Sequence, residues 1–63
     1  MDLWIIVEWC VCGSTYNFNQ IIAGYPNIYC AKDKLKECKA HPGETYCEDK
    51  HLEYTVEKVV WDF

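Results

Sequence analysis

The chain has no arginine: all six of its basic residues are lysine, set against ten acids, for a net charge of −4. Arginine's planar fork is the usual reader of phosphates and guanine edges, so its absence from an acidic chain argues against direct nucleic-acid binding. There is no C-x-x-C pair, although five cysteines are present. Tight cysteine knuckles of that kind bring two sulfurs to one ion, and without them a structural zinc site has to be assembled from scattered residues. No long apolar run occurs either. The N-terminal "MDLWIIVEW" puts Asp2 where an export signal carries basic residues, and Glu8 interrupts a run too short to span a bilayer, so a cytosolic location is expected with no membrane partner. An odd number of cysteines cannot all pair within one chain, and a reducing compartment would keep them as thiols. No repeat, linker or low-complexity segment breaks the sequence.

What is present is apolar and aromatic. Apolar types make up 51% of the residues and aromatics 16%, far above a disordered composition. Sixty-three residues form one domain, and a chain of that size buries only about 60% of its unfolded surface. Such a core usually needs a disulfide, a metal or a second subunit beside it.

Alternation is clearest over residues 2–12. Leu3, Ile5, Val7, Trp9 and Val11 point one way while Trp4, Ile6, Glu8, Cys10 and Cys12 point the other, which predicts a central strand with apolar groups on both faces. "GSTYNFNQ" at 13–20 is rich in residues that tolerate turns, and it reads as a hairpin loop leading into a short strand, "IIAGY". Its Tyr16 and Phe18 are rigid aromatics among Ser, Asn and Gly, as in recognition loops, or else fold back on the sheet edge. Asn27 can cap a helix at about 28–40, in which Ile28, Ala31, Leu35 and Cys38 recur at helical spacing before Pro42-Gly43 ends it. The last run alternates over 52–61, with Leu52, Tyr54 and Val56 on one face and Val59 and Trp61 on the other. Either a bulge near Glu57-Lys58 shifts the phase, or both faces are apolar there.

Strand, strand, helix, strand is the resulting order. A right-handed crossover through the helix sets the third strand parallel to the second, with the first between them, giving a mainly antiparallel α+β sheet of order 2-1-3 with one helix on one face.

Taken together, "LWIIV" in strand one, "GY" leaving strand two, the lysine- and acid-rich helix and the closing "EYTVEKVVWD" resemble short ββαβ accessory proteins of bacteriophage and bacterial type. The resemblance covers nearly the whole chain and implies a phage-encoded accessory protein in the host cytosol. It carries no functional residues across, and the cysteine content departs from the pattern.

No stretch spells out a catalytic reaction, and no enzyme activity is expected. Cys38 with His41 is arithmetically a nucleophile pair, but Cys38 falls on the helix stripe turned to the sheet, where cysteine acts as a small hydrophobe. The zinc candidates are Cys10, Cys12, Cys30, Cys38, Cys47, His41 and His51, of which Cys10 and Cys12 would project in parallel from one strand. No metal or other cofactor is expected. Lys32, Lys36 and Lys39 run along one edge of the helix stripe, as core-covering stems or as an anion site.

The main functional signal is a surplus. Ten aromatics exceed what one helix over three strands can cover, since a single helix shields one face. Trp4, Ile6, Val59 and Trp61, rimmed by Glu8 and Glu57, are expected on the uncovered face, with Tyr16 and Phe18 as a second contact surface. The expected function is that of a small acidic binding protein, itself a homodimer, that docks on a host protein and blocks it. Two alternatives are a binder that sequesters a nucleotide signal, with rings stacking the base and Lys32, Lys36 or Lys39 on phosphate, and a zinc-stabilised interaction module.

Overall fold

The computed structural model describes residues 2–43 and 50–60. Four elements follow one another: β1 (Asp2–Cys12), β2 (Thr15–Tyr25), α1 (Ile28–Ala40) and β3 (Lys50–Val60). They form a three-stranded antiparallel sheet of order β2-β1-β3 with the helix on one face, the α+β arrangement expected from the sequence.

β1 begins and ends where alternation places it. β2 does not: the segment read as a loop is extended from Thr15 onward, and the hairpin turn is only Gly13-Ser14, between the paired Cys12 and Thr15. Gly13 has φ +62°, which a two-residue turn needs at its first central position to match the strand twist. The first seven residues of β2, Thr15 to Ile21, are all exposed, and the alternation of Tyr16 and Phe18 with Thr15, Asn17 and Asn19 ends at the bulged Asn19. Two residues of β2, Asn19 and Ile22, have no partner in the pairing with β1, and the register shifts by one at each.

β3 pairs with β1 without interruption, from Asp2 opposite Val60 to Cys12 opposite Lys50. There is no bulge at Glu57-Lys58, and both faces of β3 carry apolar groups. The helix starts at the expected cap, where the Asn27 side chain accepts from the Tyr29 N–H at 2.7 Å. Its thin stripe packs as its spacing implies: Ala31 is fully buried, and Leu35 and Cys38 lie against the core built on Ile6, Ala31 and Tyr54.

The length of the elements determines what is covered. Strands of 11 residues run about 36 Å, whereas a helix of 13 residues is about 20 Å long, so α1 roofs roughly half the sheet. It lies over the end holding Trp4, Ile6, Tyr54 and Val56, and the β1–β2 hairpin extends past it.

Candidate interaction surface

Cross-strand register shows which side chains share the covered side. Ile6 sits opposite Val56, Glu8 opposite Tyr54 and Cys10 opposite Leu52, and the core formed with Ala31 includes Ile6, Tyr54, Val56 and Leu52. The even-numbered face of β1 therefore meets the helix. This overturns the expected placement of Trp4, Ile6 and Glu8 on the uncovered face: Ile6 is 0% exposed, Glu8 5%, and Trp4 is half-buried against the core. The physical reason is steric. A stripe of one alanine, one leucine and one cysteine lets the helix approach closely enough for Ile6 and Tyr54 to fill the space beneath it. Trp4 has Lys58 Nζ 5.7 Å from its ring centroid, and that ammonium also lies 3.4 Å from Asp2.

Glu8 is not a rim charge but the acceptor of a buried network. Asn19 and Gln20 donate their side-chain amides to its Oε1, the latter at 3.0 Å, and the Tyr54 hydroxyl donates to Oε2 at 2.9 Å. The Gly43 N–H in turn donates to the Tyr54 oxygen at 3.1 Å, tying the segment after the helix to the sheet. Burial pushes the Glu8 carboxyl up, but the bonds from Gln20, Tyr54 and Asn19 together outweigh it and hold the group below its ordinary value. Burial pushes the Tyr54 phenol up, the Gly43 bond opposes this, and the neighbouring Glu8 charge adds to it. Each buried charge and dipole is satisfied, so the cluster is structural in its effect and shapes β2: the bulged Asn19 is the residue turned toward Glu8.

Apart from Tyr29 on the helix, the exposed aromatic surface lies on the opposite face of the sheet. Leu3, Ile5, Val7, Trp9 and Val11 of β1 form its spine, with Val7 and Val11 buried within it. Beside them on β2, Tyr16 is 58% exposed, Phe18 61% and Ile21 54%. Trp9 meets Phe18 edge to face, with ring centroids 6.3 Å apart at 84°, and its indole N–H donates to Thr55 Oγ1 at 2.8 Å. Val59 lies opposite Leu3 and Glu57 opposite Ile5, which places both on this face as expected. Trp61, expected here too, lies outside the described residues.

Among the described residues the uncovered face carries acids without a lysine, whereas the helix side carries both signs. On the uncovered face the described charged groups are Glu53 and Glu57, with His51 beside them. His51 Nε2 is 3.1 Å from Glu53, and this contact, followed by a bond from Tyr16 and the charge of Lys39, holds the Glu53 carboxyl below its ordinary value. Glu53 in turn raises the Tyr16 phenol and keeps it protonated. All six lysines sit elsewhere: Lys32, Lys34, Lys36 and Lys39 on the helix, Lys50 opposite Cys12 and Lys58 opposite Trp4. The helix lysines thus lie apart from the Tyr16 and Phe18 rings, and the open ring nearest them in sequence is Tyr29, 73% exposed on the helix one turn before Lys32. A depression of about 370 Å³ at the edge of β3 is lined by Lys39, Pro42, Leu52, Glu53 and Tyr54, where the Glu53 carboxylate offsets the cation that a phosphate would need.

Cys10, Cys12, Cys30 and Cys38 are free thiols, and among the described residues no three His, Cys, Asp or Glu side chains come close enough to hold a metal ion. His41 and His51 are among these residues, whereas Cys47 lies outside the described ones. No helix among the described residues is long and apolar enough to cross a membrane. Compared with protein-family models, curated proteins and solved structures, the chain matches none.

Tyr16 and Phe18 are expected as a contact surface, but that Trp9 and Ile21 join them is not legible in the sequence, because it depends on which apolar face of β1 the helix takes. A usable signal was present in Glu8, the one charge inside β1's apolar run, paired in register with a tyrosine able to donate to it.

Proposed function

We propose that the protein is a small acidic binding domain that acts stoichiometrically, docking the uncovered face of its sheet on a basic surface of a host protein and blocking it. The observation that carries this reading is the makeup of that face: exposed Tyr16, Phe18 and Ile21 beside Trp9, flanked by Glu53 and Glu57, with every lysine elsewhere. Aromatic groups next to fixed carboxylates suit lysine and arginine side chains, which can lay their stems on the rings and their charges against the acids. The net charge of −4 steers the chain toward positive surfaces, including those that otherwise receive nucleic acid. Resemblance to phage-type accessory proteins supports a bacterial host target.

The test is co-purification from bacterial lysate with wild-type protein, with Glu53→Lys/Glu57→Lys, and with Lys36→Glu as a helix-side control. A partner retained at near-equal stoichiometry by wild type and control, released by salt and lost in the double variant, supports the proposal. A partner held equally by all three, or none at all, counts against it.

A further inference from the structure

The two outer strands of the sheet are guarded unequally. β3 carries Lys50, Glu53, Glu57 and Lys58 along its length, and charged residues of that kind discourage another strand from adding to an edge. β2, "TYNFNQIIAGY", has no charged residue and no proline over 11 residues, and Thr15 to Ile21 are exposed. Its bulges at Asn19 and Ile22 break the regular ladder and leave Thr15–Phe18 as the uninterrupted stretch at the hairpin end, beyond the helix.

We propose that this stretch is a self-association edge, where β2 of one chain pairs antiparallel with β2 of a second copy to make a continuous six-stranded sheet. A two-fold axis perpendicular to the sheet keeps the uncovered faces on the same side, and directly opposite residues must then share a face. Registers centred on Tyr16 or on Asn17 meet both conditions within Thr15–Phe18, and the second is the one that pairs all four rings of the two chains. Asn17 faces its own copy, amide to amide, and Tyr16 lies opposite Phe18 of the second chain twice over. Those two aromatic pairs fall on the uncovered face, where both rings are now largely in solvent.

The edge is complementary to itself: the two-fold sets Tyr16 against Phe18 in both directions and brings no charged side chain of the strand against another. Two chains of net charge −4 repel, so their closest approach belongs on the strand that bears no charge. A basic partner is drawn instead to Glu53 and Glu57, on the same face but on the opposite edge strand, β3. Pairing also joins the two uncovered faces into one surface with aromatic rings at its centre and carboxylates toward both outer strands. The contact is short and falls below the size of a permanent interface, so the dimer is in concentration-dependent exchange with the monomer.

Sedimentation equilibrium from about 10 µM to 1 mM, the range in which small interfaces associate, tests this. The wild-type mass should climb from 7.5 kDa toward twice that value, while amides of Tyr16–Phe18 gain concentration-dependent protection from hydrogen exchange. Asn17→Lys, which sets two ammonium groups opposite each other, should weaken association severalfold, and adding Thr15→Lys should remove it; Lys36→Glu should leave it unchanged. A wild-type monomer throughout overturns the proposal, as does undiminished association of a folded Asn17→Lys chain. Protection that rises on β3 instead of β2 also overturns it, and that measurement stands even if the lysine variants fail to fold. A dimer lost in Asn17→Lys with the basic partner still bound would separate this contact from the proposed docking face.

Discussion

Tyr54 and Glu8 face each other across the β1–β3 pair, and the phenol donates to the carboxylate at 2.9 Å while accepting from the Gly43 N–H. Tyr54→Phe removes one oxygen and strands a partner on each side of it. It should cost about 1–3 kcal/mol, the usual price of leaving buried polar groups unsatisfied, read as a lower urea midpoint with an unchanged slope.

The same carboxylate sets the acid limit. Because hydrogen bonds hold the Glu8 carboxyl below its ordinary value of 4.5 in the folded chain, the unfolded chain takes up the proton first as pH falls. The stabilisation is complete above pH 4.5 and is lost as pH drops through the lower folded value. Glu8→Gln should flatten this part of the stability profile while lowering stability at pH 7, measured by urea unfolding from pH 7 to 3.

Much of the fold could be read from the chain because it rests on local rules. The helix from Ile28 to Ala40 follows from the Asn27 cap, the 28-31-35-38 spacing and the Pro42-Gly43 stop, and the order β2-β1-β3 follows from crossover handedness. The first half of β2 was harder to read: Tyr16 and Phe18 alternate with Thr15, Asn17 and Asn19, but those polar residues also favour turns, the bulge at Asn19 ends the period, and pairing with β1 imposes the extended form. The composition of the uncovered face was half legible. That an aromatic surface had to remain followed from one helix covering one side. Which face of β1 it was depended on the contact of Ala31 with Ile6 and Tyr54, a long-range fit that alternation does not encode.

That contact makes its own prediction. Ala31 is fully buried against Ile6 and Tyr54, so Ala31→Leu should destabilise by about 1–3 kcal/mol through overpacking. Ala31→Gly should cost about 1 kcal/mol through helix propensity, with some added loss from the missing methyl. Thermal unfolding monitored by far-UV circular dichroism gives both.

On the uncovered face, Thr55→Val keeps the shape of the side chain and removes the acceptor of the Trp9 indole N–H. The loss should be about 0.5–1.5 kcal/mol, since the indole is only partly shielded and water can replace part of the bond. A double-mutant cycle with Trp9→Phe should show the two changes to be non-additive, because each removes the same hydrogen bond.

Stability and binding should separate along the two faces of β1. Ile6→Ala empties a fully buried site and should cost about 2–5 kcal/mol, whereas Ile21→Asn replaces a side chain that is 54% exposed and should change stability by about 0.5 kcal/mol or less. Partner affinity should follow the opposite order. Ile21→Asn removes apolar area from the docking surface of a chain that remains folded, and binding measured by calorimetry should fall by about tenfold or more if Ile21 lies at the centre of the contact. A conservative Ile6→Val change costs about 0.5–1.5 kcal/mol beneath the helix and should leave affinity untouched at temperatures where the chain stays folded. Equal loss of affinity in Ile21→Asn and Ile6→Val would place the binding surface on the helix side, and the segregation of lysines from the aromatic face would then have no bearing on the partner.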